Sequence, residues 1–62
     1  MFRVKIFRGD VMIAKFIDEL LSQAVGKARK IGEVGDTVFI HEVMQTADGD
    51  FDELECTLKT TL

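Results

Sequence analysis

The segment 37–45 has apolar side chains at consecutive positions, so a strand formed there is apolar on both faces. Successive side chains of a strand point to opposite faces, and one helix packed on the sheet covers only one of them. The second face then needs a cover from outside the chain. The apolar residues of the segment are Val38, Phe39, Ile40, Val43 and Met44.

The length of the chain limits its core. Residues 1-62 are expected to form a single small domain, and a domain of this size buries about 60% of its unfolded surface. Cys56 is the only cysteine and His41 the only histidine, so neither an intrachain disulfide nor a structural zinc site can strengthen the core. Oligomerisation is the remaining route, and we expect a homo-oligomer.

Charge and hydropathy argue against several kinds of partner. The formal net charge is −3, whereas nucleic-acid binding depends on neutralising phosphates. No apolar run reaches the roughly 18 residues of a membrane span, and the N-terminus lacks a signal-peptide core. A single thiol fits a reducing compartment. We therefore expect a cytoplasmic protein with no nucleic-acid or membrane partner.

The N-terminal half predicts one strand followed by one helix. Apolar and basic residues alternate over residues 2–6, which is the period of a half-buried strand, and Gly9-Asp10 ends that strand. From Val11 to Ile31 the apolar residues recur at helical spacing, with Asp10 as the expected N-cap. Gly26 is an early point at which the helix can end or loosen, and Gly32 and Gly35 are later stops.

The C-terminal half predicts a β-hairpin. Asp48-Gly49 is a strong turn signal between the segment 37–45 and an alternating strand over 54–62. A two-residue turn gives one register, and a three-residue turn would exchange the two faces. The first register puts three pairs on the face that meets the helix: Phe39 with Leu58, His41 with Cys56, and Val43 with Leu54.

That register also predicts the interface. Val38, Ile40 and Met44 fall on the outer face, where they would contact another copy of the chain or a different protein. We prefer this register because burying neutral His41 costs less than burying ionised Glu42.

The expected fold class is α+β, with a single helix packed on a three-stranded antiparallel sheet in the order β-α-β-β along the chain. Strand order 1-3-2 places the last strand beside the first. Arg3 and Lys5 then lie next to Glu53 and Glu55, which is favourable by roughly 0.2–1 kcal/mol per pair.

Two clusters contain side chains that are common in chemical sites, but neither predicts a site. The pair His41–Cys56 could form a thiolate nucleophile, but it lies on the expected core face with no third group and no oxyanion hole. The acidic run at 48–52 opens like a calcium loop, but Glu53 stands where glycine is needed and Lys59 where glutamate is needed. We expect no catalytic, cofactor-binding or metal-binding residues and no enzymatic activity.

Three segments resemble a family of very short sporulation-associated proteins of Gram-positive bacteria: Val4-Lys5-Ile6-Phe7, Phe16 to Leu21, and Ala47-Asp48-Gly49-Asp50. The chain departs from that family at Arg8-Gly9-Asp10 and lacks the aromatics of its last strand. The resemblance implies a small accessory protein without catalytic residues.

The order strand–helix–hairpin is also similar in shape to dodecin, a flavin-binding assembly of small subunits. Dodecins stack flavin on a tryptophan, and this chain has none. The sequence therefore predicts a non-catalytic protein acting through self-assembly and protein–protein interaction, with a regulatory or accessory role. The alternatives are a dodecin-like oligomer that stores a small aromatic ligand and a small enzyme with its site between subunits.

Overall fold

The fold consists of four strands and one helix. The computed structural model describes residues 1–62 and contains, in chain order, β1 (Phe2–Arg8), β2 (Val11–Asp18), α1 (Leu21–Ile31), β3 (Thr37–Gln45) and β4 (Phe51–Thr61). The strands form one antiparallel sheet in the order β2-β1-β3-β4. The α+β class is confirmed, but the three-stranded sheet with order 1-3-2 is wrong.

The segment 11–18 is an edge strand and not the start of a helix. Gly9, with φ of +60°, takes the first central position of a two-residue turn that joins Arg8 to Val11. Ile6 pairs with Ala14 and Phe7 with Met12, so Ile13 is an extra residue in β2. This bulge breaks the period-2 pattern and produces apolar residues at spacings that imitate a helix.

β1 and β3 are neighbours at the centre of the sheet, and they carry its buried aliphatic side chains. Val4 lies opposite Ile40, and Ile6 lies opposite Val38. All four side chains are essentially inaccessible to solvent. An edge position would expose one flank of each, so the two strands occupy the centre and β4 lies at the outer edge.

α1 is short and packs closely on the sheet. Ala24 and Ala28 are its buried residues, and their small side chains allow close approach to the strands. The Gly32 N–H donates to the Ala28 carbonyl at 2.8 Å and ends the helix. A Cβ atom at Gly32 would clash with Leu62 Cδ1 and lie 3.1 Å from the Ala28 oxygen, so this position favours glycine.

The helix covers the sheet unevenly. It packs mainly against β1 and β2, and the buried cluster consists of six residues from β1, β3 and α1. β4 has no buried residue along its length. One half of the sheet is therefore closed by the helix, whereas the half formed by β4 is open.

Two ion pairs tie the connections to the sheet. Arg8 Nε and Nη2 each donate to the Asp36 carboxylate at 3.0 Å, and the Glu33 N–H donates to the same carboxylate at 2.9 Å. The hydrogen bond from Arg8 is the main reason that the pKa of Asp36 is lowered. Lys27 Nζ lies 2.9 Å from Asp18 and lowers the pKa of that carboxyl in the same way. The two pairs fix the loops on either side of α1.

The β3–β4 hairpin has a longer turn than expected. Gln45 pairs with Phe51, and the Thr46 N–H donates to the Asp50 carbonyl at 2.7 Å, so five residues form the loop. Gly49 has φ of +89°, which suits glycine. His41 does pair with Cys56, but the register shifts on both sides of that pair. The two-residue turn is therefore wrong, although the hairpin itself is present.

Candidate functional site

The structure separates the three predicted interface residues. Val38 and Ile40 are 1% and 0% exposed and belong to the core beneath α1, so their placement on an outer face is wrong. Met44 is 58% exposed, near the hairpin tip. Glu42 is exposed because the helix does not cover this part of β3. The free-energy cost of burying its carboxylate therefore does not arise.

His41 and Cys56 lie opposite each other, but their reactive atoms face different partners. His41 Nδ1 lies 3.4 Å from the Leu54 carbonyl, and Cys56 Sγ lies 3.4 Å from the Leu58 carbonyl. Cys56 is exposed, so its expected place in the core is wrong. The extra residues of β4 turn its side chain away from the helix. This arrangement does not couple the thiol to the imidazole.

The acidic hairpin tip organises its own turn. Asp48 accepts a hydrogen bond from the Thr46 hydroxyl, which also contacts the Asp50 carbonyl. The bond from Thr46 is the main reason that the pKa of Asp48 is lowered. No group of three or more His, Cys, Asp and Glu side chains converges on a point where a metal ion could bind.

The first candidate surface is an apolar groove beside the helix. It has a volume of about 270 Å³ and lies between α1 and the C-terminal part of β4. Leu58 and Leu62 are only half-buried there because no element of the chain covers them. Six apolar residues line the groove: Val25, Ala28, Val38, Ile40, Leu58 and Leu62.

The edge of β4 next to this groove has unpaired backbone groups. Leu62 donates its N–H to the Asp36 carbonyl at 2.9 Å and accepts from the Gly35 N–H at 2.8 Å, so its backbone points toward β3. Backbone groups of successive residues in a strand point to opposite sides. The N–H and C=O groups of Thr61 and Lys59 therefore point outward from the sheet.

The second candidate surface is the face of the sheet opposite α1, which we call the open face. Residues directly opposite one another in neighbouring strands share a face. One row crosses all four strands: Lys15, Lys5, Phe39 and Lys59. The next row starts with Ile17, Arg3 and His41. The open face is thus basic, with aromatic and aliphatic side chains between the cations.

Glu53 neutralises part of this face, and Asp10 lines the cavity beside Phe7 and Phe39. Lys5 Nζ lies 2.7 Å and Arg3 Nη1 3.2 Å from its carboxylate. The hydrogen bond from Lys5 is the main cause that lowers the pKa of Glu53. The predicted attraction of Arg3 and Lys5 to Glu53 is present, although β3 lies between the two strands. Lys15 forms no salt bridge and is exposed.

Two phenylalanines form the apolar part of the open face. The rings of Phe7 and Phe39 meet edge to face, with centroids 5.6 Å apart. Lys59 Nζ lies 5.4 Å from the centroid of the Phe39 ring. A shallow cavity of about 410 Å³ opens beside the three side chains.

Sequence reasoning missed the open face because it assigned Phe39 and His41 to the core. The alternation of Arg3, Lys5 and Phe7 with buried residues in β1 was a usable signal. The position of Lys15 beside Lys5 could not be found while residues 11–18 were taken as helical.

Comparisons of the chain with models of protein families, with curated proteins and with solved structures found no match. The strand–helix–hairpin order that underlies the likeness to dodecin is not the observed order, since a hairpin precedes the helix. α1 is too short to cross a membrane, and it is the only helix of the fold.

Proposed function

We propose that this protein is a non-catalytic, cytoplasmic interaction protein that acts as a homodimer, with β4 as its interface. The observation that carries the proposal is the free edge of β4 lying next to an uncovered apolar groove. An exposed strand edge offers unpaired N–H and C=O groups to another strand. A second copy of the chain supplies both a strand and an apolar surface.

The end of β4 is complementary to itself. In an antiparallel pairing centred on Thr60, Leu58 lies opposite Leu62 of the second copy, and Lys59 lies opposite Thr61. The outward backbone groups of Lys59 and Thr61 then bond to each other, as the antiparallel ladder requires. No like charges are opposed. A pairing centred on Lys59 would oppose two lysines and is disfavoured.

This pairing also covers the groove. The two-fold axis is perpendicular to the sheet, so both helices lie on the same face of a continuous eight-stranded sheet. Leu58 and Leu62 of each copy then meet over the centre of that face. Burying these half-exposed side chains contributes about 25 cal/mol per Å² of apolar surface removed from water.

The regular part of β4 is the part that can pair with a second copy of the chain. The register between β3 and β4 is constant from Leu58 to Thr61, whereas it shifts twice between Leu58 and Glu53. Bulges in an edge strand hinder the addition of another strand. The dimer therefore uses the C-terminal end of β4, and Met44 at the hairpin tip lies outside it.

The non-catalytic and cytoplasmic parts of the proposal rest on Cys56 and His41. The thiol and the imidazole contact separate backbone carbonyls, so neither activates the other. An exposed, unpaired thiol is compatible with a reducing compartment.

A proline substitution tests the interface without touching the core. Thr61→Pro removes an outward N–H, and proline is tolerated in an edge strand whose N–H faces solvent. We expect the unmodified protein to sediment as a dimer at micromolar concentration and Thr61→Pro to sediment as a monomer. Thr61→Ala is the matched control, because it keeps the N–H and should remain a dimer.

Circular dichroism of each variant shows whether it is folded. A folded Thr61→Pro variant that stays dimeric would contradict the β4 interface. An unmodified protein that sediments as a stable 7.0 kDa monomer would contradict the dimer itself.

A further inference from the structure

We propose that the open face binds single-stranded nucleic acid, with phosphates on its lysines and a base on its aromatic side chains. The site lies on the side of the sheet away from α1 and is complete in one copy of the chain. It therefore does not depend on the β4 dimer, and each proposal can fail without the other.

The cations form the first part of the argument. Lys15, Lys5 and Lys59 lie in one row across the four strands. Adjacent strands are about 4.8 Å apart, so the row spans about 14 Å. Lys15 lies directly opposite Lys5. Glu53 compensates the charge of Lys5 at 2.7 Å, whereas Lys15 and Lys59 form no salt bridge and are available to phosphates.

The aromatic side chains form the second part. Phe7 and Phe39 lie on the two central strands of an antiparallel sheet whose other face is covered by a helix. Aromatic side chains in such a position stack with unpaired bases, while nearby cations hold the backbone. Lys59 now lies over the Phe39 ring. Its long side chain can move to a phosphate while a base takes its place.

The net charge of −3, which argues against nucleic acid in the sequence, is an average over two separate regions. Four carboxylates lie in the β3–β4 hairpin away from the row of lysines, at Asp48, Asp50, Asp52 and Glu55, whereas Glu53 and Asp10 lie at the open face. The row of lysines crosses the sheet at a distance from that tip. Binding depends on the local charge of the surface that contacts the phosphates.

Fluorescence polarisation with labelled 10-nucleotide RNA and DNA strands of mixed sequence tests the proposal. We expect binding to either strand at 50 mM salt. Two phosphate contacts, at Lys15 and Lys59, give a salt slope of about −1.4, so affinity should fall about sevenfold between 50 and 200 mM salt. Undetectable binding of both strands at 50 mM salt would overturn the proposal.

A matched pair of charge reversals locates the site. Lys15→Glu should weaken binding by about five- to tenfold. It should also make the salt slope less steep by about 0.7, the contribution of one phosphate contact. Lys30→Glu makes the same change on the exposed side of α1, away from the open face, and should have a much smaller effect. Equal losses in the two variants would indicate a general charge effect and would overturn the assigned site.

Phe39→Leu separates nucleic acid from other polyanions, because it keeps an apolar side chain but removes the stacking surface. We expect about fivefold weaker binding of the RNA or DNA strand, since stacking contributes about 1 kcal/mol or more per base. Polyglutamate of the same charge should compete poorly with the strand. Equal competition together with an unaffected Phe39→Leu variant would assign the face to acidic peptides and overturn the proposal.

Discussion

The two hairpins of the sheet differ in what covers them. The β1–β2 hairpin lies under α1, whereas in the β3–β4 hairpin β3 is buried and β4 is almost wholly exposed. The covered half has a short turn and ion pairs that hold the helix in place. The uncovered half keeps a free backbone edge and an apolar groove. The difference suggests that the covered half specifies the fold and the uncovered half is available for binding.

The largest expected effect on stability comes from introducing a lysine into a strand of the covered half and into a strand of the uncovered half. Ile6→Lys, in β1, puts an ammonium group in the core at a side chain with no solvent exposure, and we expect the protein to unfold. The cost exceeds about 4 kcal/mol, which is comparable to the total stability of about 3–9 kcal/mol for a chain of this length.

Leu54→Lys is the control for this prediction, because Leu54 lies in β4 and is 43% exposed. It should remain folded, with a midpoint of urea denaturation close to that of the unmodified protein. Similar losses of stability in the two variants would show that the covered and uncovered halves tolerate an introduced lysine equally.

A smaller effect, dependent on pH, is expected at the ion pair that holds the loop after α1. The pKa of Asp36 is lowered in the folded protein, so its contribution is complete above the ordinary value of 3.8 and is lost as pH falls through the folded value. The melting temperature should therefore drop steeply below about pH 4. Asp36→Asn should lower the melting temperature at pH 7 and reduce this drop.

Asp52→Asn, in the exposed β4, is the matched control for Asp36→Asn, since it makes the same change of charge. It should leave the pH profile of the melting temperature close to that of the unmodified protein. An unchanged profile in Asp36→Asn would show that the Arg8 pair does not stabilise the loop.

Much of the fold could be predicted from the sequence where local pattern and tertiary context agree. The alternation in β1, the apolar run of β3 and the turn glycine of the last hairpin all identify the correct elements. β2 could not be recognised from its apolar spacing, because the bulge at Ile13 disguises its period. Gly9-Asp10 is itself a signal for a two-residue hairpin turn and would have corrected the error.

The faces of β3 were harder to predict than the strand itself. Burying Glu42 is costly only if the helix covers the whole strand, whereas α1 leaves Glu42 exposed. The extent of coverage depends on helix length and on the position of the helix over the sheet. A register chosen by the cost of burying Glu42 therefore places Val38 and Ile40 on the wrong face.

Amide hydrogen exchange at Lys59 and Thr61 tests the central claim, that the uncovered edge of β4 is a dimer interface. Both N–H groups point away from the sheet in a single copy, so only a second copy can protect them. The account predicts slow exchange of both amides at high protein concentration and fast exchange on dilution below the dimer dissociation constant. Fast exchange of both amides at every concentration, while the buried strand β3 stays protected, would contradict it.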